Sequence, residues 1–177
     1  MEADEEKRKE YEKKLEKIPK KMRVYLDESG IEQTICQERG WGPKGKKLPG
    51  KKSGKRSART NILAAINQNK PMAQWTFTGN CNTEKFNYWI ENYLIKVLKK
   101  GQTVIMDNVT FHKSKKTREL IESVGCHLLY LPPYSPDFNP IEKFWANMKR
   151  WIRQNIATLG NLVATLNAFF LHIIQRG

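Results

Sequence analysis

The sequence predicts an α/β fold, a mixed β-sheet flanked by α-helices. Short apolar runs bounded by turn residues crowd the first half of the chain, as successive hairpins do. From Asn82 onward, such runs alternate with longer segments whose apolar residues recur every three or four positions. Two of the runs, Val24-Tyr25-Leu26 and Val104-Ile105-Met106, pass directly into Asp27-Glu28 and Asp107-Asn108. An apolar run ending in an acid reads as a strand buried on both faces, with a carboxylate at the edge where ligands of open sheets collect. The expected order of elements is β-β-β-β-α-β-α-β-α-α.

Residues 2–17 are rich in Glu, Lys and Arg, with only Tyr11, Leu15 and Ile18 near helical spacing. Residues 1–22 are therefore expected to be a charged helical linker, ended by Pro19, and residues 23–177 the folded body. The first strand is placed at about Arg23 to Glu28, with 31–39 as its antiparallel neighbour after a turn at Ser29-Gly30. Thr60–Ile66 and Met72–Phe77 form two further strands around the turn Gln68-Asn69-Lys70-Pro71. Asn82 or Thr83 caps a helix with Phe86, Trp89, Ile90, Tyr93, Leu94, Val97 and Leu98 on its core face, and Gly101 stops it. Trp89 and Tyr93 belong to that stripe, so they read as core. The strand reaching Asp107 follows, then a helix from Ser114 to about Val124, a strand from His127 to Leu131, a proline-rich loop and two closing helices. At the start of the first closing helix, Asn139 is the N-cap and Pro140 the first helical residue.

The formal charge is +14 over 177 residues. Residues 1–20 hold seven acids and seven bases, so the excess lies in 21–177, with 25 bases against 11 acids. A body this basic faces a polyanion, nucleic acid before membrane, unless the charge merely solvates its surface. The excess is densest from Gly40 to Arg59, where glycines alternate with Lys44, Lys46, Lys47, Lys51, Lys52, Lys55, Arg56 and Arg59 and no acid intervenes. Such a segment tracks a phosphate backbone, with Trp41 offering a stacking face, or else is a solvated hairpin tip. Three dispersed cysteines, Cys36, Cys81 and Cys126, suggest neither a disulfide framework nor a zinc site, and a reducing cytosol fits. The first twenty residues are charged throughout, unlike a signal peptide. The most apolar segment, Leu159 to Ile174, is interrupted by polar residues and too short to span a bilayer.

Asp27, Asp107 and Glu142 are the raw material of a divalent-metal site. If the two strands are adjacent and parallel, Asp27 and Asp107 stand side by side, which is costly unless a cation lies between them. Oxygen ligands without a Cys/His cluster select Mg²⁺ or Mn²⁺ over zinc. Glu142 falls in the first turn of its helix, about 100° around from Ile141, on the flank of the stripe Ile141, Phe144, Trp145, Met148 and Ile152. Each acid also has an ordinary reading: Glu142 in a capping box with Asn139, Asp107 as a turn former, Asp27 paired with a lysine. His112 either orients a water at such a site, touches DNA, or is a plain loop residue. His127 and His172 lie in apolar patterns and read as structural.

At these residues the chain resembles a known family, the DDE transposases of bacterial insertion sequences in the mariner superfamily. The resemblance rests on Tyr25-Leu26-Asp27-Glu28-Ser29-Gly30, Gly40-Trp41-Gly42-Pro43-Lys44-Gly45, Met106-Asp107-Asn108, Leu131-Pro132-Pro133-Tyr134-Ser135-Pro136 and Asn139-Pro140-Ile141-Glu142. It runs from about Arg23 to Arg153, and the 34 residues between Asp107 and Glu142 are a typical spacing. It implies a ribonuclease H-like fold, with Asp27, Asp107 and Glu142 holding two Mg²⁺ (or Mn²⁺) ions for in-line phosphoryl transfer. It also implies DNA as partner (transposon ends and a TA target), a homodimer on that DNA, and a bacterial cytoplasmic, nucleoid-associated location. Asn108, Asn139, Trp145 and His112 become candidates for supporting the acids, and the Gly-rich basic hairpin for contacting DNA or a partner subunit. Full-length relatives carry helix-turn-helix modules ahead of this domain, so the chain is expected to be the catalytic part. The alternatives are a non-catalytic basic DNA-binding remnant or regulator, and a nuclease acting on RNA–DNA hybrids, which the spacing and the proline motif disfavour.

Overall fold

The computed structural model of the chain describes residues 5–32 and 59–176. Most of the Gly-rich basic hairpin, from Gly40 to Ala58, lies outside them, as does the expected strand beyond Glu32. Among the described residues, five strands form one sheet in the order β3-β2-β1-β4-β5. Strands β1 (Arg23–Glu32), β2 (Arg59–Asn67) and β3 (Lys70–Thr78) make an antiparallel meander. Strands β4 (Thr103–Met106) and β5 (His127–Tyr130) add in parallel on the other side of β1. Helices α1 (Glu5–Glu16), α2 (Thr83–Trp89), α3 (Lys115–Ser123), α4 (Ile141–Leu159) and α5 (Leu162–Arg176) pack around it. This is the mixed, helix-flanked sheet that the pattern of hairpins and alternating units predicts. Among the described residues no helix is long and apolar enough to cross a membrane.

Three expectations about elements need correction. No turn forms at Ser29-Gly30: β1 runs unbroken to Glu32 and pairs with β2 as far as Glu32↔Arg59. A glycine usually signals a turn, but here it makes room, since a Cβ on Gly30 would collide with the Arg59 guanidinium. Asp27 consequently lies in mid-strand rather than at a strand end. The helix after Asn82 does not continue smoothly to Gly101. Asn82 caps it as expected, accepting the Lys85 amide at 2.9 Å, but after Trp89 the chain widens into a π-helical turn over Ile90–Leu94. The Ile95 amide then reaches back to the Ile90 carbonyl at 3.0 Å. The extra residue per turn lets Phe86, Trp89, Ile90 and Leu94 all be buried, and it turns Val97 out of the core to 42% exposure. Finally, the β2–β3 turn is tighter than the four residues expected. Gln68 and Asn69 alone make it, both left-handed (φ 49° and 64°), the geometry that matches the twist of a two-residue hairpin.

Side-chain alternation assigns the faces. Val24 and Leu26 of β1, Leu63 and Ala65 of β2, and Val104 and Met106 of β4 point to the side covered by α2 and α3. Ile31, Ile62, Ala64 and Ile66 point to the side covered by α4 and α5. Ile105 faces that second side too, where Tyr11 of α1 and Leu131 cover it. Near residue 73 the β2–β3 register shifts, and Ala73 adopts φ 55°. That irregularity offers the Ala73 carbonyl to the buried Trp89 indole at 2.6 Å, which satisfies the one polar atom of an otherwise apolar side chain.

Candidate active site

Strands β1 and β4 are adjacent and parallel, with Tyr25 opposite Ile105. Two residues further along each chain stand Asp27 and Asp107, and by alternation both fall on the α4 side of the sheet. β4 ends at Met106, whereas β1 continues and sets Asp27 opposite the small Ala64 of β2. Leu131 of the loop leaving β5 donates its amide to the Met106 carbonyl at 2.8 Å, which turns that loop across the end of β4. The loop's prolines carry it over the acids to Asn139, and α4 starts immediately afterwards. Asp27, Asp107 and Glu142 thereby line one cleft of about 450 Å³, walled by Asn108, Asn139 and residues Leu131–Pro136.

Each acid has a distinct setting. Asp27 is mostly buried and accepts a hydrogen bond from the Trp145 indole at 3.1 Å. Burial pushes its carboxyl up to about 7, opposed by the Glu28 backbone amide and reinforced by the nearby charges of Glu142 and Asp107. Asp107 is partly exposed, and its Oδ1 lies against Nδ1 of His112. Glu142 is exposed, on the solvent side of the flank position expected for it. It takes no part in a capping box, because the Asn139 amide it would have to meet donates to the Pro136 carbonyl at 2.9 Å.

The surrounding side chains hold these positions. Asn139 is buried and extended, while Pro140 is already helical, so Asn139 caps α4 with its Oδ1 toward the Ile141 amide at 3.4 Å. Its Nδ2 reaches the Leu26 carbonyl, next to Asp27, at 3.4 Å. Trp145 is buried, one turn along α4, and joins that helix to Asp27. Asn108 stands in the wall of the cleft. His112 is no plain loop residue: it is 1% exposed, its ring packed 4.1 Å from that of Phe86 and 4.4 Å from that of Phe111. A histidine five residues beyond a strand-end acid was the available signal, and only the packing of α2 against that turn reveals its burial. His127, expected to be structural, is exposed at the start of β5. His172 packs on Trp151 at 5.8 Å. Of the residues expected to contact DNA only Arg59 is described; it is exposed, at the start of β2.

Among the described residues, no three Asp, Glu, His or Cys side chains are close enough together to make a finished metal cage. The donor set nonetheless fits a hard divalent cation: carboxylate oxygens lining one cleft, with no thiolate beside them. Burial is the main reason the Asp27 carboxyl is raised, and the smaller contributions of Glu142 and Asp107 are the part that a cation would relieve.

The fold has counterparts among solved structures. The Mos1 transposase paired-end complex with left transposon end matches with a TM-score of 0.68 at 16% identity, over 86% of this chain and 50% of that one. The catalytic domain of Mos1 mariner transposase matches with a TM-score of 0.58 at 16% identity, over 85% of this chain and 73% of that one. A simian T-cell lymphotropic virus intasome in complex with PP2A regulatory subunit B56 gamma matches with a TM-score of 0.59 at 10% identity, over 85% and 47%. The chain thus spans about half the length of the transposase chains in the Mos1 DNA complexes. Its fold is that of a ribonuclease H-like transposase or integrase catalytic domain. No curated protein is significantly similar to it in sequence. The sequence model for DDE superfamily endonucleases matches residues 22–163, which hold all five strands and all three acids, and the chain belongs to that family.

Proposed function

We propose that the chain is the catalytic domain of a DNA transposase, which cleaves strands at transposon ends and joins them to target DNA by in-line phosphoryl transfer. The observation that carries this reading is the convergence of Asp27, Asp107 and Glu142 on one cleft in a DDE-family fold. In it, Asp27, Asp107 and Glu142 hold Mg²⁺ or Mn²⁺, as a pair of ions. Bound there, the metal supplies activation of the attacking water or 3′-hydroxyl and stabilisation of the leaving oxygen. The protein's part is positional. Trp145 fixes the Asp27 carboxylate, His112 packs behind Asp107, Asn139 ties the first turn of α4 to β1, and the proline loop walls the site. The mariner-type, insertion-sequence origin, the TA target, a homodimer on DNA and a bacterial cytoplasmic, nucleoid-associated location belong to the same proposal. So does the division into a helical linker at 1–22 and a catalytic body at 23–177.

The test is nicking of supercoiled plasmid in Mg²⁺ or Mn²⁺ by the chain and its Asp107→Asn variant. Metal-dependent nicking that falls at least about a thousandfold in the variant, with DNA binding retained, is the expected result. Equal cutting by both proteins rejects the assignment of the acids. DNA binding without cutting under either metal favours a non-catalytic regulator. In the same proposal Lys44, Lys46, Lys47, Lys51, Lys52, Lys55, Arg56 and Arg59, with Trp41, contact DNA. Replacing Lys51, Lys52, Lys55 and Arg56 by Ala should flatten the dependence of log K on log salt by up to about 0.9 for each phosphate no longer neutralised. An unchanged slope leaves that segment as solvated surface.

A further inference from the structure

The loop that delivers Glu142 is poor in its own means of attachment. Pro132, Pro133, Pro136 and Pro140 carry no amide hydrogen. The amides of Phe138 and Asn139 are spent within the loop, on Ser135 and Pro136. Tyr134, at the cleft wall, sits at φ 56°, a strained conformation for an aromatic residue. Yet this segment must hold one wall of the cleft in place.

Helix α1 meets the loop from outside the cleft. The Arg8 guanidinium donates to both carboxylate oxygens of Asp137, at 3.1 and 2.6 Å, and to the Ser135 hydroxyl at 2.9 Å. It also lies over the Phe138 ring, 4.3 Å from its centre. One turn on, the Tyr11 ring is 4% exposed and packs against Phe138 at 5.1 Å, over Ile105 and Leu131. Among the described residues the Tyr11 hydroxyl has no hydrogen-bond partner, so ring packing holds the helix there. The far end of α1 is tied to the sheet by Arg23, which donates to the Leu15 and Ile18 carbonyls at 2.8 Å each. The helix thus braces residues 135–138 against the root of β1, the strand that carries Asp27. A single exposed ion pair contributes little, but a forked arginine shared among a carboxylate, a hydroxyl and a ring has a defined geometry.

We infer that α1 is a strut for the active-site loop, with Arg8, Tyr11 and Asp137 as positioning residues that set Glu142 relative to Asp27 and Asp107. The inference rests on the proposed metal-binding role of those acids. Asn139, directly after the braced segment, bonds to the Leu26 carbonyl and caps α4, so a shift at Phe138 passes to the helix start and to Glu142. The strut residues reach the cleft lining from behind, Arg8 at Ser135 and Tyr11 at Leu131. Their effect is on where the glutamate waits, hence on metal affinity.

The experiment uses the whole chain and no DNA. Backbone hydrogen exchange across Tyr134–Asn139, Mn²⁺ affinity by calorimetry, and the melting temperature are compared for the parent, Arg8→Ala, Tyr11→Ala and the exchanged pair Arg8→Asp/Asp137→Arg. Arg8→Ala and Tyr11→Ala should each speed exchange in the loop and weaken Mn²⁺ roughly three- to tenfold, while Arg8→Ala leaves the melting temperature nearly unchanged. The exchanged pair should recover most of the lost affinity. Unchanged exchange in both single variants overturns the strut, as does faster exchange with unchanged Mn²⁺ affinity. A parent chain that binds no Mn²⁺ rejects the reading of the acids, and the strut's purpose with it. That outcome is told apart because it appears before any substitution is made.

Discussion

The two faces of the sheet are closed in different ways. On the α2–α3 side one continuous apolar cluster runs from Val24 and Leu26 through Phe86 and Trp89 to Ile121. On the other side the cover is split. One cluster gathers under α4 and α5, a smaller one under α1, and the acids lie on this face with the cleft beside them. The closed face supplies cohesion. The divided face gives up continuity of packing and gains a place where charged groups meet solvent. The gap on the divided face is where the three acids meet solvent.

This contrast is open to attack from either side. On the closed face Leu94 is wholly buried and takes no part in lining the cleft, so Leu94→Ala should cost about 3–5 kcal/mol in chemical denaturation. Its Mn²⁺ affinity at a temperature where it is folded should equal that of the parent, and a large loss would mean the faces are not independent. On the divided face the expected sign reverses. The Asp27 carboxyl is raised from 3.8 to about 7, so between those values the folded chain keeps a proton that the unfolded chain has released. Metal-free stability therefore falls as pH rises from about 4 to about 7, by at most about 1.4 kcal/mol per pH unit. Asp27→Asn should match the parent near pH 4, exceed it in melting temperature at pH 8, and lose the advantage when the parent is given Mn²⁺. An equal gap at both pH values would show that burial of the charge is not the cause. The smallest effect is expected from Trp145→Phe, which removes one hydrogen bond to Asp27 at a cost of about 1–2 kcal/mol. Because that bond lowers the Asp27 carboxyl, its loss should move half-maximal Mn²⁺ binding to higher pH, and an unmoved midpoint would make Trp145 a packing residue only.

The same division governs what the sequence discloses. Strand and helix patterns, the start of α2 and the ends of α3 are legible because period and capping are local properties, whereas Asp27 and Asp107 meet only because β1 and β4 pair in parallel. Asn82 and Ser114 cap their helices as the residues alone suggest. The continuation of β1 through Gly30 is not legible, since it rests on pairing with β2, a strand that begins at Arg59. Nor is the π-helical turn after Trp89, which answers to burial of four large side chains and to the carbonyl of Ala73. The burial of His112 and the docking of α1 escape the sequence for one reason. The histidine sits in a loop and the helix in a run of charges, and both are fixed by rings, Phe86 and Phe138, that are distant in sequence.

The mid-strand position of Asp27 has a further consequence, for chain length. Its carboxylate reaches the divided face because of its parity along β1, where Val24 and Leu26 face the other way. One residue inserted between Arg23 and Leu26, with Arg23 kept opposite Thr103 and the pairing to β2 slipping by one, would turn the acid into the sealed apolar cluster and bring Leu26 to the cleft. Every residue of the site would still be present in such a chain. In the loop from Leu131 to Asn139 no such parity applies, and a change of length there alters only the reach of Glu142. A cleft of this kind can thus be lost through spacing as well as through letters, and a count of acids does not see the first.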